Sequence, residues 1–74
     1  MVKSIRTKEY KEFVQKLREA RLETGLTQGQ VAKKLKRPQS HISNIETGQQ
    51  RVDVIELKRF AKLYKKPIEY FISL

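Results

Sequence analysis

Four short polar side chains lie close together near the middle of the chain, and they are its best candidates for specific recognition. They are two amides and two hydroxyls: Gln39, Ser40, Ser43 and Asn44. An amide can hydrogen bond in pairs with N6 and N7 of adenine in the major groove of DNA. At helical spacing the four residues share one face, where they could read base edges. They would also suit an ordinary solvated helix face.

The other reactive side chains do not form a catalytic or metal-binding pattern. His41 is the single histidine, and no second ligand has the spacing of a metal site. Glu9 and Glu12 lie one helical turn apart. So do Asp53 and Glu56, and we interpret both pairs as solvated charges at helix starts, where the macrodipole favours them. Without a glycine-rich phosphate loop or a nucleophile motif, the chain is not expected to be an enzyme or to use a cofactor or metal.

The balance of charge indicates a polyanionic partner. The chain has 74 residues, with 17 Lys and Arg against 8 Asp and Glu, which gives a formal net charge of +9. This excess favours a nucleic acid, although it would also serve a solubilising surface. The length predicts one domain with a small core. Because there is no cysteine, no apolar run of roughly 20 residues and no signal-peptide pattern, we expect a cytoplasmic protein without membrane contact.

Apolar spacing and the positions of glycine and proline predict an all-α fold. The expected elements are helix 1 from Thr7 or Lys8 to Glu23, helix 2 from Thr27, helix 3 from Gln39 to about Thr47, helix 4 after Asp53 and helix 5 from Pro67. Thr27 and Gln30 match a capping box, and residues 36–38 form a tight turn between helices 2 and 3. No segment alternates as a strand would.

A series of short motifs runs through almost the whole chain. They are Leu17-Arg18-Glu19-Ala20-Arg21, Leu26-Thr27-Gln28, Val31-Ala32, Leu35, the run Pro38 to Gly48, Leu57, Phe60-Ala61 and Tyr64. Together they resemble the Cro/repressor (Xre-type) helix-turn-helix family over about residues 10 to 72. The resemblance implies a compact five-helix bundle of the lambda-repressor-like DNA-binding type. Helices 2 and 3 would form its helix-turn-helix.

The resemblance also implies two groups of DNA contacts. The base-contacting group lies on helix 3: Gln39, Ser40, Ser43 and Asn44. The phosphate-contacting group surrounds it: Gln28, Arg51, Lys33, Arg37 and His41. In the second group, Gln28 and Arg51 follow from the family pattern, and Gln28 is also expected to brace the first recognition glutamine. The others are included because they border or lie on helix 3.

One charged pair is implied both by the resemblance and by the residues themselves. Arg21 and Glu46 match a structural ion pair that joins helix 1 to helix 3. Arg21 lies one turn past Leu17 on the apolar face of helix 1, and Glu46 follows Ile45 at the end of helix 3. An unpaired charge in either place would be costly, so each residue is expected to pair with the other.

The turns depart from the family pattern at three residues. Lys36 and Lys65 stand where glycine is frequent, and Pro38 stands where a Ser or Thr cap is common. A non-glycine residue can adopt a positive φ at some cost. The tilt of helix 3 therefore depends on how the turn at Lys36 forms.

The remaining segments suggest three further surfaces. Residues 1–7 are expected to form a flexible basic N-terminal arm, and residues 8–74 the DNA-binding domain. The largest basic stretch comprises Lys58, Arg59, Lys62, Lys65 and Lys66. It suits either a solvated surface or a flank of the DNA backbone. At the C-terminus Ile68 and Phe71 should close the core, and the surplus apolar residues form a candidate surface for a two-fold dimer. These surplus residues are Tyr70, Ile72 and Leu74.

The leading hypothesis is a sequence-specific double-stranded DNA-binding transcriptional regulator. It would be a dimeric repressor that reads a two-fold operator through the major groove. The alternative is an antitoxin-like DNA-binding module whose main partner is a toxin protein. A third reading is a basic protein that binds RNA or DNA non-specifically, although the exposed aromatic platforms of single-strand binders are missing. The chain could also be a fragment of a longer repressor.

Overall fold

A computed structural model describes residues 7–72 of the chain, which contain five α-helices and no strand. The helices are α1 (Lys8–Thr24), α2 (Gln28–Leu35), α3 (Gln39–Glu46), α4 (Val54–Tyr64) and α5 (Ile68–Phe71). The predicted all-α class and helix order are confirmed, and the expected ends at Glu23 and Thr47 each differ by one residue from the observed ends. No helix in this part of the chain is long and apolar enough to cross a bilayer.

The start of α2 is fixed by the capping box that the sequence predicts. The Thr27 hydroxyl accepts a hydrogen bond from the backbone N–H of Gln30 at 3.1 Å. The Gln30 side-chain oxygen accepts one from the backbone N–H of Thr27 at 2.8 Å. These bonds satisfy amides that a helix start leaves free. Just before it, Gly25 ends α1 in the left-handed region with φ 77°. The chain therefore enters the helix-turn-helix at a defined angle.

The two turns at which the resemblance implies a glycine form with lysine in its place. Lys36 has φ 57° and Lys65 has φ 59°, both in the left-handed region. Each backbone N–H bonds back to carbonyls in the last turn of the preceding helix. The conformation costs an L-residue roughly 1–2 kcal/mol. The turn before α3 thus keeps its tight geometry, at a cost that glycine would avoid.

One apolar core joins all five helices. Its buried members are Leu17, Ala20, Val31, Ala32, Ile42, Ile45, Leu57, Phe60, Ala61, Tyr64 and Phe71. From α3 come Ile42 and Ile45, both 0% exposed, and burying each side chain contributes about 1.5–3 kcal/mol. As predicted, Phe71 is buried, and Ile68 packs against the core from a half-buried position. The core fixes the inner face of α3 and leaves the opposite face open.

Of the predicted N-terminal arm, residues 1–7, all but the last residue lie outside the described part of the chain. Thr7 alone belongs to it, and there it serves as the N-cap of α1, accepting the amide of Tyr10 at 3.2 Å. Leu74, expected at the dimer surface, also lies outside the described residues.

Candidate nucleic-acid interface

The end of α3 is anchored by a buried ion pair between Arg21 and Glu46. Arg21 Nε donates to Glu46 Oε2 at 2.7 Å, and Arg21 Nη2 donates to Oε1 at 3.1 Å. A third bond runs from Arg21 Nη1 to the carbonyl of Leu26 at 2.9 Å. The side chains are 10% and 5% exposed, and the hydrogen bond to Glu46 raises the pKa of Arg21. The bidentate Arg21–Glu46 pair connects α3 to α1, and the bond to Leu26 connects both to the segment that leads into α2.

Gln28, the first residue of α2, joins the same carboxylate. Its Nε2 donates to Glu46 Oε1 at 3.1 Å, and its side chain is half-buried. An amide nitrogen carries two hydrogens, so the bond to Glu46 leaves one donor for a second partner. The three helices of the site, α1, α2 and α3, therefore meet at Glu46.

The predicted base-contacting residues share the open face of α3. Gln39, Ser40 and Asn44 are exposed, whereas Ser43 is half-buried. The amide of Gln39 lies along the start of α2, where a Cβ built on Gly29 would be 3.6 Å from Gln39 Oε1. The structure thus brings the four residues together, with Ser43 the least accessible.

The proposed phosphate-contacting cations lie around α3 and not on it. The helix itself carries no Lys or Arg. Lys33 is exposed on α2, Arg37 is exposed in the turn, and Arg51 is exposed in the loop after α3. The site therefore has a neutral centre with positive charge at its margins.

One ring nitrogen of His41 is held within the protein, and its phosphate contact stays a prediction. The sequence assigns it to the phosphate contacts, but its ring is half-buried between α3 and α4, with the side chain 18% exposed. Nε2 lies 3.0 and 3.1 Å from the two carboxylate oxygens of Glu56. An ionised carboxylate only accepts hydrogen bonds, so Nε2 is the donor. That ring nitrogen is used within the protein and is not available to a phosphate.

The expectation that Glu56 is a solvated charge is wrong. Glu56 is 7% exposed. Besides His41, its carboxylate lies 3.5 Å from Nε of Arg37, whose side chain is 49% exposed. The sequence held a signal for this position, because Glu56 lies one turn before Phe60 and next to Leu57 on the apolar stripe of α4. A charge on that stripe is expected to have a partner, as Arg21 does.

Tyr10 is a further supporting residue that the sequence reasoning missed. Its Oη donates to the carbonyl of Gln50 at 3.4 Å, and the guanidinium carbon of Arg51 lies 5.4 Å from its ring centroid. Burial raises the pKa of Tyr10. This cation–π contact holds the loop after α3 against α1, and with it one of the two phosphate positions that the family pattern implies.

The comparison with known families agrees with this geometry. A family model described as a helix-turn-helix domain matches residues 12–68, well over half of the chain. The chain therefore belongs to this helix-turn-helix family, which is consistent with its resemblance to the Cro/repressor type. The helix-turn-helix is a motif whose second helix lies in the major groove of DNA. Comparisons with curated proteins and with solved structures gave no match.

Proposed function

We propose that this protein is a sequence-specific transcriptional repressor that inserts α3 into the major groove of double-stranded DNA. One observation carries the proposal: the open face of α3 is neutral and short-chained, yet rigidly supported from behind. The major groove, about 12 Å wide, admits a helix. Exposed Gln39, Ser40 and Asn44 are short enough to reach base edges there, with one amide at each end of the face.

The cations at the edges of the site are placed to contact the two phosphate backbones that border a major groove. Lys33, Arg37 and Arg51 are exposed on three different segments, so they could contact phosphates on either side of α3. Such contacts release counterions and make affinity fall steeply with salt. An affinity that does not change with salt would contradict this binding mode.

The protein would act as a two-fold dimer, with its recognition helices about 34 Å apart in successive major grooves. An open groove of about 640 Å³ runs between the starts of α1 and α4 and the end of α5. Two exposed apolar side chains line it: Val54 is 66% exposed and Ile72 is 48% exposed. Burial of this surface against a second copy would remove apolar area from water. The variant Val54→Asp should shift sedimentation toward the monomer, whereas Leu22→Asp, at an exposed site outside the groove, should not.

DNA footprinting upstream of the protein's own gene tests the proposal most directly. The wild-type protein should protect a two-fold site, and Gln39→Ala should weaken or move the protection. Gln15→Ala is the matched control, because Gln15 is exposed on α1 outside the proposed interface. If Gln39→Ala protected the same site with unchanged affinity, α3 would not be the reader. Equal binding to random duplex would favour the non-specific alternative, and tight co-purification of a toxin protein would favour the antitoxin-like one.

A further inference from the structure

A second charged surface shares no residue with the interface that we propose for DNA. An open groove of about 660 Å³ runs between the C-terminal ends of α2 and α4. None of its lining residues is acidic, and none belongs to α3 or to the proposed DNA contacts. Five exposed cations line it: Lys34, Lys36, Arg59, Lys62 and Lys65.

Two of these cations stand at backbone positions that would favour glycine. The described part of the chain has two non-glycine residues with positive φ, Lys36 and Lys65, and both line this groove. Glycine would adopt that conformation without the cost. A cation at a helix C-terminus is favoured by the macrodipole, which accounts for the two lysines at each end, Lys34 with Lys36 and Lys62 with Lys65. It does not account for Arg59, in the middle of α4, and five like charges around one groove repel one another unless an anion lies between them.

The apolar residues at the floor of the groove indicate which kind of anion it would bind. Leu35 and Leu63 line it between the cations, and both are half-buried. A phosphodiester strand has no apolar side chain to place on the leucines. An acidic peptide that carries an apolar residue can cover the floor and pair its carboxylates with the rim.

We propose that this groove binds an acidic segment of a partner protein, with an apolar side chain on Leu35 and Leu63 and carboxylates on either side. The groove shares no lining residue with the proposed DNA interface, and Lys34 and Lys36 are next in sequence to its contacts Lys33 and Arg37. The proposal does not depend on which DNA sequence is recognised, or on whether α3 reads DNA at all.

A pair of labelled peptides tests the proposal by fluorescence anisotropy at fixed ionic strength. One is a 12-residue peptide in which glutamates flank leucines, and the other has the same charge with every leucine replaced by serine. We expect the leucine peptide to bind about ten-fold more tightly, as burial of even a few methylene groups provides. In the wild-type protein it should also shift the methyl NMR signals of Leu35 and Leu63.

The double variant Arg59→Glu with Lys62→Glu should weaken leucine-peptide binding by about ten-fold or more. The matched control is Lys58→Glu with Lys11→Glu, which changes the net charge equally at two exposed cations that do not line the groove. Thermal melting of both variants verifies folding, and the wild-type methyl shifts need no variant. Equal binding of the two peptides would overturn the proposal, as would unshifted Leu35 and Leu63 signals. A double variant that lost duplex DNA binding but kept peptide binding would assign the groove to DNA instead.

Discussion

Two buried carboxylates hold the recognition helix, and they do so with different chemistry. Glu46, at the end of α3, receives two short bonds from Arg21, whose side chain is 10% exposed. Glu56, on α4, accepts a hydrogen bond from one ring nitrogen of His41. Its carboxylate also lies 3.5 Å from Arg37, whose side chain is 49% exposed. The first carboxylate is enclosed and is paired with a guanidinium. The second is more open and depends on an imidazole.

This contrast assigns the two ends of α3 different roles. At its C-terminal end, the Arg21–Glu46 pair connects α3 to the rest of the core and should determine whether the domain folds. Near its N-terminal end, the His41–Glu56 contact lies in the first turn, beside Gln39 and Ser40. We therefore expect Glu56 to influence the orientation of Gln39 and Ser40 more than the stability of the fold.

Removal of Arg21 should produce the largest effect. The substitution Arg21→Ala leaves Glu46 buried without its cation, and breaking such a pair typically costs about 3–5 kcal/mol. Urea unfolding should detect the loss as a lower midpoint. The matched control is Arg18→Ala on the same helix, at an exposed position, where little change is expected. Equal midpoints for the two variants would remove the contrast between the two carboxylates.

Removal of Glu56 should have a smaller effect on stability and a clearer one on binding. In Glu56→Ala the half-buried His41 nitrogen loses its acceptor, which should cost about 2 kcal/mol. The exposed Arg37 adds little, and the Asp53 cap remains, because it uses the backbone amide of residue 56. Unfolding in urea and DNA titration should be measured together, with exposed Glu69→Ala as control. A loss as large as that of Arg21→Ala would show that both carboxylates anchor the fold equally.

The difference in sequence separation explains which support was predictable. The capping box of Thr27 and Gln30 joins residues three apart, so the local sequence is sufficient to predict it. Arg21 and Glu46 are far apart, but each is a charge beside an apolar stripe, and the family resemblance names them as partners. Local sequence and the apolar pattern of the core are therefore enough to predict these features.

The support around Glu56 depends on how two helices are rotated against each other. Asp53 and Glu56 look alike in sequence, as two acids at a helix start. In the structure Asp53 is exposed and caps α4, whereas Glu56 faces inward to His41. The same applies to Tyr10, which packs under Arg51 only because the loop after α3 returns to α1. Such tertiary placement follows from packing and is not contained in any single segment.

The buried phenol of Tyr64 lies near the Arg21–Glu46 pair and offers a third test. Its Oη has no hydrogen-bond partner among the described residues, and Tyr64 is 2% exposed. An unsatisfied buried hydroxyl costs about 1–3 kcal/mol, so Tyr64→Phe should stabilise the protein by about 1 kcal/mol near neutral pH. Urea unfolding should measure the gain, with half-buried Tyr70→Phe as control.

The same residue gives a dependence on pH with a defined sign. Burial and the nearby charge of Glu46 raise the pKa of Tyr64 above its ordinary value of 10.0, against the opposing charge of Arg21. The folded chain therefore keeps its proton when the unfolded chain has lost it. The stability is fully present below about pH 10 and is lost as the pH rises toward the raised native pKa. Between pH 9 and 11 the wild type should lose more stability than Tyr64→Phe, and parallel losses would contradict this.

The smallest expected effect concerns the turn that precedes α3. Lys36→Gly removes the cost of a left-handed lysine, roughly 1–2 kcal/mol, but glycine makes the unfolded chain more flexible by about 0.5–1 kcal/mol. The net gain should be about 0.5 kcal/mol, and Lys65→Gly, in the same conformation after α4, should gain as much. If the two carboxylates position α3, neither variant should change DNA affinity beyond the loss of one charge. A Lys36→Gly protein that bound DNA much more weakly than Lys65→Gly would show that the strained turn positions α3 as well.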